Sequence, residues 1–195
     1  MVAINPQKIY GRWQSGVALD FQTTSSTFVG YSEAGHRQFE TVRPEIAELL
    51  YQLKYRLNKA AAAGIIDAAA GFLRPHRGKL DVLVPVPAST PRAWQPVQVL
   101  AAGIGAALNL PVVDCIRITR PTQQLKSVED PEKRKALLAG LYTVEATHVA
   151  DKNVLLFDDL FRSGSTMNAV TDVLLGKGRA KTVRALTITK SRSNQ

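Results

Sequence analysis

The sequence predicts an α/β domain: a parallel sheet of four or five strands flanked by helices, with an N-terminal hood added to it. Three observations lead there. Two apolar runs, LDVLVPVP at 80–87 and NVLLF at 153–157, lack polar alternation, as strands buried on both faces do. Helical periodicity marks PVQVLAAGIGAALN at 96–109 and STMNAVTDVLL at 165–175. From Lys79 onward strands alternate with helices, the order that builds a parallel sheet covered on both sides.

Taken in order, the first forty residues differ from the rest. GVALDFQTT alternates partly and STFVGYS is aromatic and β-branched, so the two suggest a strand pair, with loops around Gly30 and Gly35. Residues 1–43 are read as an N-terminal elaboration and 44–195 as the main domain with its leading helices. Pro44 opens a helix in which Ile46, Leu49, Leu50, Leu53 and Leu57 recur at helical spacing. The alanine-rich stretch to Phe72 predicts a second helix, interrupted near Gly64 and closed by Pro75 and Gly78. LPVVDCIRI at 110–118 is expected as the next strand, LYTV as a short one and TVRALTITK as the last.

Composition sets limits on function. One cysteine, Cys115, excludes an internal disulfide and a cysteine-rich zinc ribbon, and its strand setting marks it as a small buried apolar residue. No apolar run approaches the thickness of a bilayer and MVAINPQKIYGRW lacks an apolar signal core, so a reducing cytoplasm is expected. The formal charge is +9, from 25 basic and 16 acidic residues, a surface that attracts nucleic acid or small phosphorylated ligands. The densest basic cluster, KGRAKTVR at 177–184, falls at a helix-to-strand turn and reads as solvated charge. Aromatic residues do not interleave with basic ones as in a single-strand stacking platform. Nucleic acid and self-association stay open as partners.

The chemistry concentrates in NVLLFDDLFRSGST, 153–166. Apolar residues drive a strand into the core, and Asp158 and Asp159 follow at its C-terminal end, where ligands of open α/β sheets bind. Adjacent carboxylates repel and are costly to desolvate unless hydroxyl donors or a cation compensate. Vicinal ribose hydroxyls supply the donors and Mg²⁺ the charge. Arg162, Ser163, Gly164, Ser165 and Thr166 then form a small-residue turn into a helix whose first N–H groups are unpaired, a cradle for a terminal phosphate. Plain capping by Ser163 or Ser165 is compatible with this, because it uses the same N–H groups. Carboxylates for sugar hydroxyls beside a phosphate cradle describe a ribose 5-phosphate site.

VLLFDDLFRSGST resembles the 5-phosphoribosyl-1-pyrophosphate (PRPP) motif of type I phosphoribosyltransferases, with Ser163 where threonine is usual and Phe157 in place of a smaller apolar residue. The resemblance implies Mg²⁺-assisted transfer of a phosphoribosyl group from PRPP to a nitrogen acceptor, a nucleobase among the candidates, with release of pyrophosphate. It gives Asp158 and Asp159 the catalytic role and, together with PRPP itself, the contact to Mg²⁺. It assigns Arg162 to Thr166 to the 5-phosphate, and the loop with Val86, Pro87, Ala88 and Arg92 to pyrophosphate.

Within the superfamily the chain is most similar to ComF-like competence proteins, over roughly residues 45–190. RAWQP at 92–96 stands for their Arg-Gly-Phe-Asn-Gln-like segment, and residues 119–144 resemble their mobile segment, which makes Lys126 a flap residue. Leu137 stands at the family's asparagine, and EIAELLYQLKYRL at 45–57 is similar to their Leu-Lys-Tyr helix, which draws attention to Lys54. The competence likeness also implies a rival: a non-catalytic PRPP- or nucleotide-binding module in DNA uptake or regulation. Weaker signals carry less. GIGAAL at 103–108 lies inside a helix and reads as helix packing rather than a dinucleotide fingerprint. His36, His76 and His148 lack metal-ligand spacing.

Overall fold

A computed structural model describes residues 2–88, 94–120 and 136–192. The described elements are, in chain order, strands β1 (Gln7–Lys8), β2 (Ser15–Phe21), β3 (Ser25–Tyr31) and β4 (Arg37–Val42), then helices α1 (Glu45–Tyr55) and α2 (Ala61–Leu73). They continue with β5 (Val82–Pro85), α3 (Pro96–Leu108), β6 (Ile116–Ile118), β7 (Tyr142–Val144), β8 (Asn153–Phe161), α4 (Ser165–Leu175) and β9 (Thr182–Lys190).

Five strands make the main sheet in the order β1-β2-β9-β8-β5. The ladders β2/β9, β9/β8 and β8/β5 are parallel, and β1 adds to the edge antiparallel. The predicted parallel sheet between helices is therefore present. Alternation along β8 divides the core. Val154 and Leu156 pack with Met167, Val170 and Leu174 of α4, whereas Leu155 and Phe157 join Leu50, Leu53, Ile65, Leu100 and Ile104 of the three earlier helices.

The helices follow their sequence signals. Pro44 is the N-cap of α1, Glu45 and Glu48 lie in the first turn and Lys54 in the last, in keeping with the helix dipole. Packing overrides the interruption expected at Gly64, which lies inside an unbroken α2. GIGAAL is helix packing, as expected. A Cβ on Gly103 would stand 2.2 Å from Ile66 Cδ1, so α2 and α3 approach closely only because the side chain is missing.

Strand partners differ from expectation in two places. An N-terminal strand pair exists, but GVALDFQTT and STFVGYS do not form it. β2 enters the main sheet beside β9, and β3 pairs antiparallel with β4, a segment for which no element was expected. The partial alternation in β2 marked a strand but could not name its partner, which lies more than 160 residues away by the register Ser15↔Arg184, and Ala18, Leu19 and Asp20 are buried in succession. The segment 110–118 is not a full strand of the main sheet. Val112 alone bridges Leu83, and the chain then turns so that Ile116–Ile118 pairs antiparallel with Tyr142–Val144. Cys115 is buried in this corner, and burial pushes its thiol up to about 11, so it is not a nucleophile. Among the described residues, no helix is long and apolar enough to cross a membrane.

Candidate functional site

The two aspartates leave β8 on opposite sides. Asp158 continues the series of Val154 and Leu156 towards α4, and Asp159 that of Leu155 and Phe157 towards α1. Asp158 lines a cavity of about 100 Å³ with Arg162, Ser163, Gly164, Ser165 and Thr166. All the PRPP-motif residues named from sequence, apart from Asp159, thus meet around one small space. Asp159 is buried, and its Oδ2 pairs with Lys54 Nζ at 2.9 Å. Desolvation, then the neighbouring Asp159, push the Asp158 carboxyl up to about 8. The Asp159 N–H donating to Asp158 Oδ1 at 2.8 Å, and the more distant charge of Lys54, oppose that rise without reversing it. Burial and the acidic neighbour thus favour the protonated form of Asp158.

The cradle is built on Gly164. It is the N-cap of α4 and has φ +73°, a left-handed conformation that favours glycine. A Cβ there would lie 2.8 Å from Phe161 Cε2. Gly164, the N-cap, has no side chain to cap α4, and the Ser165 N–H lies 3.5 Å from Ser163 Oγ, at the limit of a hydrogen bond. The Ser163 and Ser165 hydroxyls also bond each other at 2.9 Å. Arg162 is exposed at the rim.

The loop after β5 emerges beside this site. Pro85 is in register with Phe157, and the Val86 N–H donates to the Phe157 carbonyl at 2.8 Å. Val86 is buried, Pro87 half-buried and Ala88 exposed, so the loop rises from the sheet next to Asp158. Arg92, assigned to pyrophosphate, and Lys126, assigned to a flap, lie outside the described residues.

Two supports escaped the sequence reading. Trp13, buried, meets Phe161 edge-on with ring centroids 6.1 Å apart, so the N-terminal segment buttresses the ring beneath Gly164. Arg12 ties the same segment to α4. Its N–H donates to Asn168 Oδ1 at 2.8 Å and its guanidinium pairs with Asp172 at 2.5 Å. No local motif in IYGRW announces these contacts. The Lys54–Asp159 pair was foreshadowed only by the Leu-Lys-Tyr likeness.

With this geometry in place, comparison with known proteins is informative. Residues 53–195 match the phosphoribosyl transferase domain, and the chain belongs to that family. It is 26% identical to the competence protein ComFC of Bacillus subtilis over 166 residues, covering 80% of this chain and 64% of ComFC. A shorter match, 43% identical over 44 residues, is to the bifunctional protein PyrR of Leuconostoc citreum and covers 23% of this chain and 25% of PyrR. The chain thus spans less than two thirds of the length of either curated relative. In fold it is similar to the adenine phosphoribosyl transferase of Trypanosoma brucei, solved in complex with AMP, pyrophosphate and ribose-5-phosphate. That likeness has a TM-score of 0.53 and 15% identity, and covers 96% of this chain and 75% of the other. A second adenine phosphoribosyltransferase superposes with a TM-score of 0.51 at 13% identity, over 87% of this chain and 86% of that one.

Proposed function

We propose that the protein transfers the phosphoribosyl group of PRPP to a nitrogen acceptor and releases pyrophosphate. The observation that carries this reading is the convergence of Asp158 and the Arg162–Thr166 turn on one cavity at the C-terminal end of β8. The turn holds the 5-phosphate on unpaired N–H groups, and Asp158 and Asp159 serve the ribose hydroxyls. The loop through Val86, Pro87 and Ala88, with Arg92, receives the pyrophosphate. In the reaction the acceptor nitrogen forms a bond to the anomeric carbon as the bond from that carbon to pyrophosphate oxygen breaks. The electron pair stays on pyrophosphate, and the nitrogen's proton is lost to water. No protein nucleophile is required; positioning and charge supply the catalysis.

The residues present fit Mg²⁺ in one way. Among the described residues no group of three or more His, Cys, Asp or Glu side chains is placed to hold a metal alone. Asp158 is a single carboxylate on its side of the strand, which suits an ion that binds through one or two carboxylates and the oxygens of a phosphate substrate. When bound, Mg²⁺ would supply charge against the departing pyrophosphate.

Calorimetry with PRPP and Mg²⁺, followed by pyrophosphate release across a panel of nucleobases, tests the proposal. Binding in the micromolar range with release for one acceptor class supports it. A PRPP affinity unchanged in Asp158→Ala/Asp159→Ala would place the site elsewhere. The non-catalytic module keeps standing as a second reading on one observation: Leu137, at the family's asparagine position, offers no polar side chain. Tight PRPP binding with no release for any acceptor would favour that module.

A further inference from the structure

A second cavity, of about 210 Å³, opens on the other side of the β8 tip, between α1 and the ends of β2, β8 and β9. Leu160 lines both this cavity and the phosphate cradle, so the two meet at that residue. Its size is below the ~300–1,000 Å³ of drug-sized sites and suits a molecule of one or two rings. Lys54 stands in its wall with Tyr51, Tyr55 and Arg43. The Tyr51 and Tyr55 rings are 5.1 Å apart, and the Arg43 guanidinium carbon lies 4.1 Å from the Tyr51 centroid.

The charges here are unequal. No aspartate or glutamate lines the cavity, whereas two cations do. Lys54 is neutralised by Asp159 at 2.9 Å. Among the described residues Arg43 reaches Glu48 alone, at 3.6 Å through Nη1, beyond hydrogen-bond range, and the Glu48 side chain is 44% exposed. A guanidinium has five N–H donors in a planar fork that matches a carboxylate bidentately. Arg43 is itself only 24% exposed and stacked on Tyr51, so little rotamer freedom remains to be lost on binding.

We propose that this cavity selects the acceptor, and that the acceptor is planar and carries a carboxylate or comparable anion, held by Arg43 over the tyrosine pair. The proposal rests on the transferase reading for the acceptor's role, but the anion preference can be measured without PRPP. The probes are benzoate against benzamide, and quinoline-2-carboxylate against its amide, titrated by NMR chemical-shift changes. The acids are expected to bind about tenfold more tightly than their amides, with shifts at Arg43, Tyr51 and Lys54. Arg43→Gln is expected to remove that preference and Arg43→Lys to keep part of it. Both variants are checked for an unchanged melting curve, and Tyr51→Phe, which keeps the ring, serves as a second variant expected to retain the preference. Equal binding of acid and amide to the wild type, or a preference that survives Arg43→Gln, overturns the proposal. Calorimetry with PRPP on the same samples separates the two claims. A wild type that ignores PRPP sinks the acceptor role and the transferase reading together, whatever the acids do.

Discussion

The two sides of the β8 tip carry the same residue type one position apart and treat it in opposite ways. On the α4 side Asp158 shares a cavity with Arg162 and the turn from Ser163 to Thr166, and its carboxyl is pushed up to about 8. On the α1 side Asp159 is buried against Lys54. One carboxyl stands open to a cavity, and its neighbour is tied to a lysine of the opposing helix. The surroundings of a carboxyl at a strand tip are thus set by what the opposing helix presents.

Four probes test that contrast, the largest expected effect first. Gly164→Ala should cost about 2–3 kcal/mol, since a left-handed non-glycine residue costs ~1–2 kcal/mol and the new Cβ must displace the Phe161 ring. Denaturant titration would show it, and a loss under 0.5 kcal/mol would mean that the turn is not strained. Lys54→Met should cost about 2 kcal/mol by leaving Asp159 buried without its partner. Adding Asp159→Asn should return most of that loss, and a double variant no better than the single one would contradict the pairing.

The third probe is pH. Because the Asp158 carboxyl is raised in the folded state, the fold holds a proton that the unfolded chain releases near its ordinary value of 3.8. That contribution to stability is full below the ordinary value and is lost as pH rises through about 8. The wild type should therefore lose melting temperature between pH 5 and 9, and Asp158→Asn should lose less. Parallel slopes would show that Asp158 titrates normally. The smallest effect is expected far from the tip. In β3 the Val29 side chain is exposed, so Val29→Ser should change stability by less than about 0.5 kcal/mol.

The site was legible because its signal is local. Fourteen consecutive residues, 153–166, contain the buried strand, the acids and the turn, and each part has a physical reason to stand next to the other. The opposite placement of the two acids also follows from strand alternation, once the strand is known to run as far as Phe161. What could not be read is non-local. Trp13 against Phe161, Arg12 on Asp172 and Lys54 on Asp159 are each set by packing between elements far apart in the chain. STFVGYS was expected as a strand, but its partner β4 was missed for another reason. RQFETV is mostly exposed and lacks the apolar alternation that burial imposes, so it gave no strand signal.

The place of β2 in the sheet carries a consequence for biosynthesis. Among the described residues its ladder partners are the two-residue β1 and β9, which begins at Thr182. During translation the early strand cannot form its long parallel ladder until β9 has been made. Closing so large a loop is slow compared with helix formation. Trp13 reaches Phe161 from the same segment, so the ring beneath Gly164 gains its buttress only after β8 has been made.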